Sequence, residues 1–389
     1  MTNRRGFLQF LASSPLFAQQ SLPPLTINSP KDALNVMDFE AIARKNIPPA
    51  HFGYMTTGVD DDATLRANHE AMQKIGLRPR RLMGIVKADP GVTLFGTKWE
   101  TPIFLCPVGS QRAFHPDGEI ATAKAGNVKK HLQVLSTVTS SSVESVTEAA
   151  GRPVWYQLYA SSNWDLSQKM IRRAEAAGSP VLVLTVDTLG GRNTETEMRF
   201  RPLDSRKCVT CHPDEPGTRF NRKPMYEGFD MKVNTMAYPG MTWDYVRKIR
   251  DSTKMKFVLK GVETREDAEL CRKYGFDGIV VSNHGGRAEE SGRGTIECLP
   301  EVVEGAGKDV PVLIDGGFRR GTDIFKALAL GASAVGIGRP YIWGLGAFGQ
   351  AGVERVLEML RFELELVMRQ CGTAAVKDIN SSFVVARRA

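Results

Sequence analysis

Residues 310–340 read VPVLIDGGFRRGTDIFKALALGASAVGIGRP, in which two short apolar runs flank a helical pattern. The runs Val310–Asp315 and Ala334–Gly338 have the length and β-branched content of strands that are buried on both faces. Between them, Thr322–Leu330 has the apolar period of a helix. A strand, a helix and a second strand in this order predict one βαβ unit of a parallel sheet.

The same alternation runs backwards through the chain to about residue 100. Six more apolar runs are predicted as strands: Ile103–Pro107, Val134–Val138, Val154–Tyr159, Val181–Asp187, Phe257–Val262 and Gly278–Asn283. Helices are predicted between them, as at Asp165–Ala177 and Arg265–Tyr274, and a last helix, Ala351–Gln370, ends before Gly372 as its C-cap. Eight such units predict an α/β fold, a (β/α)₈ barrel of the TIM type, with an open doubly wound sheet as the alternative. No Gly-x-Gly-x-x-Gly follows the first strand, which argues against a dinucleotide fold.

Two segments lie outside this alternation. Residues 35–75 are predicted to form a helical extension ahead of the barrel. Residues 189–240 contain Pro, Gly and charges without a strong period, so they are predicted to form a long loop after strand four. Loops at the carboxyl ends of barrel strands carry active-site lids, and we expect this insertion to be one.

The composition excludes several classes of protein. A chain of 389 residues with 42% hydrophobic content is long enough for a sizeable core, which excludes small disulfide-stapled and disordered proteins. The net charge is +8, but the charges are scattered without a basic tail or stripe, so no nucleic-acid partner is predicted. No apolar run is long enough to span a bilayer, and the mature protein is expected to be soluble. No metal site is predicted.

The N-terminus resembles an export signal. Arg4 and Arg5 precede a short apolar run, and residues 1–20 are predicted to be a twin-arginine signal peptide with cleavage after Ala18. The alternative is a partly disordered terminus with a chance arginine pair. The signal predicts a bacterial, periplasmic or other extracytoplasmic protein, and a cytoplasmic one if the alternative holds.

Polar residues recur where the predicted strands end. These are Ser136, Gln157 with Tyr159, Thr185 with Asp187, Lys260, Ser282 with Asn283 and His284, Asp315, and Arg339. The carboxyl ends of all strands in such a barrel meet at one face, so we expect these side chains to form a site there.

The last two units combine glycine with arginine, at Asp315–Gly321 and Gly336–Pro340. Glycine lets the backbone approach a ligand closely, and arginine offers a bidentate fork to phosphate. The loops after strands seven and eight are the usual phosphate site of this fold, so a phosphorylated ligand is predicted there.

His284 is the one histidine of six that directly follows a predicted strand with an arginine, Arg287, three residues later. Imidazole titrates near neutral pH, so this pair is suited to general base catalysis on an acidic substrate. The alternative is a histidine that only caps a turn.

At these residues the sequence resembles the FMN-dependent α-hydroxy acid oxidases and dehydrogenases, which include glycolate oxidase, lactate oxidase, mandelate dehydrogenase and the flavin domain of flavocytochrome b2. The resemblance runs from about residue 35 to the C-terminus, and the domain it implies is predicted over residues 30–389. It rests on six motifs, which are Gln157–Tyr159, Leu184–Asp187, Leu259–Gly261, Ser282–Arg287, Asp315–Asp323 and Ile337–Pro340. It implies FMN as cofactor and oxidation of a small L-2-hydroxy acid, lactate-like or glycolate-like, to the 2-keto acid, with oxygen or an electron carrier as acceptor. It also implies a homotetramer.

The resemblance further implies which residues bind the cofactor. Those expected along the isoalloxazine and ribityl chain are Pro107, Val108, Gly109, Ser136, Gln157, Thr185, Lys260 and Ser282. Those expected at the ribityl chain and phosphate are Asp315, Gly316, Gly317, Phe318, Arg319, Gly338 and Arg339. Lys260 would lie near flavin N1, where its charge stabilises the reduced ring.

For the substrate, the resemblance implies that His284 is the base and that Asp187 orients it and favours its protonated form. Arg192 and Arg287 would bind the carboxylate, and Tyr54 and Tyr159 would hydrogen-bond to the substrate. Val138 stands where glycolate oxidase has a Trp, so the pocket for the substrate side chain is expected to be reshaped.

Among six cysteines, Cys208, Cys211 and His212 form the Cys-x-x-Cys-His pattern of c-type haem attachment. A haem there could take electrons from the flavin, whereas a disulfide or a degenerate motif are the alternatives. The remaining cysteines, Cys106, Cys271, Cys298 and Cys371, are expected to be small buried hydrophobes.

A flavin-binding electron-transfer protein without hydroxy acid turnover is the competing function, and the presence of His284 and Arg287 argues against it.

Overall fold

The structure is a computed structural model that describes residues 27–206, 222–231, 233–234 and 238–387. Eight parallel strands close into a barrel in which each strand pairs with the next one along the chain and the last pairs with the first. They are β4 (Ile103–Leu105), β5 (Leu132–Ser136), β6 (Trp155–Leu158), β7 (Val181–Thr185), β8 (Lys256–Val262), β9 (Gly278–Val281), β10 (Val312–Ile314) and β11 (Ala334–Ile337). The predicted barrel is confirmed, and closure between β4 and β11 excludes the open sheet.

Seven of the eight strands end one or two residues before the predicted end. The first strand ends at Leu105 and not at Pro107, whose nitrogen carries no hydrogen for a ladder bond. Some functional candidates lie just beyond the strands, such as Asp187 and His284, whereas others remain within them, such as Gln157 and Lys260.

The apolar core has two layers that alternate along each strand. Val181 and Val183 of β7 point into the barrel, whereas Leu182 and Leu184 pack outward against the helices. A hairpin of β2 (Val92–Leu94) and β3 (Thr97–Trp99) closes the amino end of the barrel, since Leu94 and Trp99 belong to the inner layer. The carboxyl end is left for the site.

Helices surround the barrel. They are α4 (Gly118–Val128), α5 (Val143–Ala150), α6 (Trp164–Ala176), α8 (Trp243–Asp251), α9 (Arg265–Lys273), α10 (Thr295–Ala306), α11 (Gly321–Ala329) and α12 (Arg339–Cys371). The last helix begins earlier than predicted, because it includes a kinked segment ahead of Ala351 with non-helical angles at Phe348 and Gly349. It ends as predicted, with Gly372 in the left-handed conformation.

The predicted helical extension is present as α1 (Asp38–Asn46), α2 (Pro49–Thr56) and α3 (Ala63–Gln73). Helix α1 packs on α12, where the rings of Phe39 and Phe348 meet edge to face at 6.0 Å. The strand β1 (Ile75–Leu77) then pairs with β12 (Val384–Ala386) near the C-terminus. The end of the helical extension is thereby joined to the last described strand.

The long loop after the fourth barrel strand contains a short helix, α7 (Glu195–Phe200), which the sequence did not predict. Its Phe200 packs on Phe52 of α2, with ring centroids 5.9 Å apart. Later in the loop, Met225 and Tyr226 are fully buried. The predicted signal peptide and the haem candidates Cys208, Cys211 and His212 lie outside the described residues.

The other four cysteines are buried and form no disulfide bond, as expected. No helix within the described ranges has both the length and the apolar content needed to cross a bilayer.

Candidate active site

His284 lies at the carboxyl end of the barrel, directly after β9. Its backbone is in the left-handed region, with φ at 59°, and Gly285 and Gly286 continue this turn at φ 68° and 77°. The ring Nδ1 lies 2.9 Å from Asp187 Oδ1, and Nε2 lies 3.2 Å from the Tyr159 hydroxyl. The turn thus places the imidazole between a carboxylate from the end of β7 and a phenol from the end of β6.

The ionisation of these three groups is suited to base chemistry. Burial lowers the pKa of His284, an effect that the Asp187 carboxylate only partly offsets, so the ring is neutral near pH 7. Burial raises the pKa of Asp187, but the His284 and Lys260 charges outweigh it and hold this pKa below its usual value. Burial raises the pKa of Tyr159, which therefore remains a hydroxyl donor.

Lys260, at the end of β8, connects the pair of His284 and Asp187 to a second carboxylate. Its Nζ lies 3.5 Å from Asp187 Oδ2 and 3.5 Å from Asp315 Oδ2. It also donates to Ser282 Oγ at 2.6 Å, and Ser282 Oγ donates to Asp315 Oδ1 at 2.6 Å. Burial would lower the pKa of Lys260, but the two carboxylates raise it overall, so a permanent ammonium lies beneath the site.

Gly261 makes the approach of Asp187 possible. It sits in a register irregularity between Lys260 and Val262, with φ at 104°. A Cβ at this position would lie 2.7 Å from the Asp187 Cβ. The sequence marked Leu259–Gly261 as a motif, but assigned no role to the glycine.

Two arginines at the site are held by the C-terminal end of α2. Arg287 donates to the carbonyls of Tyr54 and Thr57, the latter at 3.1 Å, and its guanidinium lies 4.8 Å from the Tyr54 ring centroid. Arg339 donates to the carbonyls of Met55 and Thr57 at 3.1 and 2.9 Å. The last carbonyls of a helix carry partial negative charge, which suits cations.

Arg339, Arg287 and Arg319 form a concentration of positive charge. Burial, reinforced by the other two guanidinium groups, lowers the pKa of Arg339 to about 9. Burial also lowers the pKa of Arg319 to about 10. Buried cations that repel one another are stabilised by anions, so the arrangement predicts that anionic groups bind here.

Arg192 lies on the loop after β7 and is exposed, with its Nη1 3.5 Å from the Arg287 carbonyl oxygen. Arg192 therefore lies beside Arg287 at the carboxyl end of the barrel. Tyr54 is half-buried and its ring stacks on Phe114 at 6.2 Å.

The residues expected to bind the flavin leave donors free for it. Ser136 Oγ donates to Gln157 Oε1 at 3.1 Å, but Gln157 Nε2 and Thr185 Oγ1 are buried without a partner in the described part of the chain. Unpaired buried polar groups are costly, and the carbonyl and ring-nitrogen acceptors of a flavin would pair them. A Cβ on Gly338 would meet no atom within 4 Å, so open space adjoins the start of α12. The residues present fit FMN.

Several of the other expected cofactor residues have additional structural roles. A Cβ on Gly317 would lie 2.2 Å from the Asn68 carbonyl oxygen and one on Gly316 2.7 Å from Thr295 Oγ1, so both glycines permit close packing by α3 and α10. The Phe318 side chain is buried in the outer core layer. Any contact of Phe318 with a cofactor would therefore come from its backbone.

Gly109, Pro107 and Val108 follow β4. A Cβ on Gly109 would lie 3.1 Å from Val138 Cβ, so this glycine packs directly against Val138 at the carboxyl end of the barrel. Pro107 and Val108 are partly exposed beside them.

The sequence missed the residues that fix the His284 turn to the N-terminal extension. Asn68 of α3 exchanges side-chain hydrogen bonds with Asn283, at 2.9 and 3.0 Å. Glu290 accepts from the backbone nitrogens of Ala63 and Thr64 at the start of α3, at 2.7 and 3.2 Å. A buried asparagine in the amphipathic pattern of α3 was the only available signal.

The chain matches the family model described as "FMN-dependent dehydrogenase" over residues 43–386. The chain belongs to this family. It is 38% identical over 356 residues to a peroxisomal (S)-2-hydroxy-acid oxidase of Oryza sativa subsp. japonica, which covers 90% of this chain and 96% of the relative. It is 33% identical to an L-lactate dehydrogenase (cytochrome) of Wickerhamomyces anomalus, covering 94% of this chain and 63% of the relative.

Among solved structures, a putative lactate oxidase of Pediococcus acidilactici superposes with a TM-score of 0.83 at 32% identity, covering 92% of this chain and 96% of the other. Membership of the FMN-dependent dehydrogenases confirms the resemblance that the motifs indicated. It also gives FMN as the cofactor of this barrel. Within the described ranges no group of three His, Cys, Asp or Glu side chains could hold a metal ion.

Proposed function

We propose that this protein oxidises a small L-2-hydroxy acid, lactate-like or glycolate-like, to the 2-keto acid with FMN as the immediate electron acceptor. The observation that carries the proposal is the neutral His284, bonded to Asp187 and Tyr159 beside a buried arginine cluster. The (S)-2-hydroxy-acid oxidase and lactate enzymes among the relatives support this substrate class.

When bound, FMN accepts two electrons from the substrate. Arg287, with Arg192 beside it, binds the substrate carboxylate, since a planar fork pairs with two carboxylate oxygens. Tyr54 and Tyr159 hydrogen-bond to the substrate. His284 Nδ1 donates to Asp187, which leaves Nε2 as the basic atom that removes a proton from the 2-hydroxy acid.

Charge at the site changes in a favourable direction when His284 takes the proton. The imidazolium then faces Asp187, which already holds a negative charge in a buried position. Lys260 is held as an ammonium by Asp187 and Asp315, and it stabilises negative charge that develops beside it.

The cofactor is bound by the residues that surround the free donors and the arginine cluster. On the ring and ribityl side these are Pro107, Val108, Gly109, Ser136, Gln157, Thr185, Lys260 and Ser282. On the ribityl and phosphate side they are Asp315, Gly316, Gly317, Phe318, Arg319, Gly338 and Arg339. Gln157 Nε2 and Thr185 Oγ1, which have no partner within the described residues, support the first group, and the mutual repulsion of Arg319 and Arg339 supports the second.

An anaerobic reduction experiment tests the substrate class. Mixing the FMN-loaded protein with L-lactate, glycolate and L-mandelate should bleach the flavin absorbance with at least one acid, whereas D-lactate should leave it oxidised. Admission of air then separates an oxidase, which reoxidises at once, from a dehydrogenase that needs another acceptor. A flavin that stays oxidised with a broad panel of acids would favour the electron-transfer alternative.

Export, haem and assembly are separate proposals. Arg4 and Arg5 support twin-arginine export, which fractionation and immunoblotting would contradict by finding the protein in the cytosol. Cys208, Cys211 and His212 support a haem c-coupled dehydrogenase, which fails if export-matured protein shows no Soret band. Family membership supports a homotetramer, which light scattering would test.

A further inference from the structure

Trp343 lies in the first turns of α12, four residues after Arg339 and on the same face of the helix. Only 4% of its surface is exposed. The Arg319 guanidinium carbon lies 4.7 Å from the centroid of the Trp343 ring. The indole therefore stacks on Arg319 and lies next to the helix turn that carries Arg339. Both arginines are expected at the phosphate.

The Trp343 indole also carries an unused donor. Its Nε1 is buried and has no hydrogen-bond partner among the residues that the structure describes. Indole N–H groups can only donate, and buried ones normally have an acceptor. Next to a cluster of guanidinium groups, an anion is the acceptor that the surroundings favour.

A tryptophan ring is a good surface for a cation. The ring attracts a guanidinium group through its quadrupole, and stacking restricts the rotamers of the long arginine side chain. Within the described part of the chain, the Arg319 side chain makes one hydrogen bond, from its Nη1 to the Phe318 carbonyl at 2.9 Å. The stacking, together with the attraction of the Glu40 and Asp323 carboxylates, thus constrains where its charge lies.

We propose that Trp343 belongs to the phosphate-binding cluster, where its ring positions the Arg319 guanidinium and its N–H is a donor to the cofactor phosphate. This rests on the proposed function, in which Arg319 binds that phosphate. Trp343 consequently contributes to the preference of the protein for FMN over riboflavin, which lacks the phosphate.

Trp99 provides a matched control at the opposite end of the barrel. Arg152 lies 4.8 Å from its ring centroid, and its Nε1 also has no partner in the described part of the chain. Only 6% of Trp99 is exposed. It therefore combines the same stacking and the same burial at the end of the barrel opposite the site.

The test is a titration of the full-length, flavin-free protein with FMN and with riboflavin, in which quenching of flavin fluorescence reports binding. The measured quantity is the ratio of the two dissociation constants. We expect Trp343→Leu to lower the preference for FMN about tenfold, and Trp343→Phe to lower it about threefold, since phenyl attracts a cation less strongly and cannot donate. Trp99→Leu should leave the ratio unchanged.

A tryptophan with a purely structural role predicts that Trp343→Leu weakens the binding of FMN and riboflavin equally, or changes neither. Either result would overturn the proposal. If Trp343→Leu does not fold, an unchanged ratio in Trp343→Phe overturns it instead. Arg319→Met separates the role of Arg319 from that of Trp343. A ratio unchanged in Arg319→Met removes the phosphate role of Arg319 itself, whereas a ratio lowered in Arg319→Met but not in Trp343→Leu removes only the role of Trp343.

Discussion

Replacement of Asp187 by Asn should slow flavin reduction by a factor of about 10² to 10³. In the wild-type protein the carboxylate lies 2.9 Å from His284 Nδ1, so the imidazolium that forms on proton transfer faces an opposite charge. With the two charge centres about 4 Å apart and an effective dielectric constant of about 20, that attraction is about 4 kcal/mol. Each factor of ten requires about 1.4 kcal/mol, so the full loss corresponds to about three decades.

The pH dependence of the same variant has a defined direction. Burial lowers the pKa of His284 and the Asp187 charge raises it, so an amide at position 187 should lower this pKa further. The acid limb of kcat/KM, which reports the free base, should then move to lower pH even though the rate falls. Anaerobic stopped-flow measurements of flavin bleaching between about pH 5 and 9 give both quantities.

Asp277→Asn is the control, since it removes a carboxylate at the amino end of the barrel. Asp277 pairs with Lys256 at 2.7 Å and accepts from the Phe257 nitrogen at 2.9 Å, far from the strand ends that form the site. Its flavin reduction should stay within about twofold of wild type. A loss of less than about fivefold in Asp187→Asn, or an acid limb that moves to higher pH, would refute the role of Asp187.

Three further substitutions have equally direct readouts. His284→Gln should keep the bound-flavin spectrum but lower the reduction rate by about 10² to 10⁴, since a base is lost. Arg287→Lys should raise KM about tenfold or more, because an ammonium replaces a planar fork that the Tyr54 and Thr57 carbonyls hold in place through Nη1. Burial raises the pKa of Glu263 to about 8, so the folded state keeps a proton that the unfolded chain loses near 4.5. The free energy of unfolding should therefore fall between pH 5 and 8, and Glu263→Gln should remove on the order of 3 kcal/mol of that fall in denaturant titrations.

Each of these has an outcome that would contradict it. Retained turnover in His284→Gln would exclude His284 as the base. A KM that also rises in Arg293→Lys, where the side chain is exposed and pairs with Glu301, would show that the Arg287 effect is not specific. Equal pH slopes in Glu263→Gln and wild type would show that Glu263 ionises normally when folded.

The barrel and the face that bears the site could be predicted from the sequence because both follow from local periodicity. Runs such as Val181–Asp187 are apolar throughout, and the polar residues that end them must lie at one edge of a parallel barrel. The resemblance then assigned His284, Asp187 and Lys260 to one chemistry, and the structure places Asp187 within hydrogen-bond distance of His284 and ion-pair distance of Lys260.

What could not be predicted depends on contacts between distant parts of the chain or on backbone geometry. The carbonyls of Tyr54, Met55 and Thr57 that hold the arginines carry no side-chain signal, because any residue offers a carbonyl. Gly261 matters through a bulge whose register exists only after β8 and β9 have paired. The short helix α7 is held by Phe200 against α2, a contact that local propensity does not reveal.

The hold of α2 on Arg287 and Arg339 links the earliest part of the described chain to the latest steps of folding. The bonds from Arg287 to Thr57 and from Arg339 to Thr57 join residues 230 and 282 positions apart. Loops of that size are costly to close, and so is the barrel, in which the pairing of Ile103 with Val335 spans a similar length of chain. The extension should therefore dock as the barrel closes, and amide hydrogen exchange in α2 and α3 should slow when the cofactor is loaded, because carbonyls at the end of α2 hold Arg287 and Arg339.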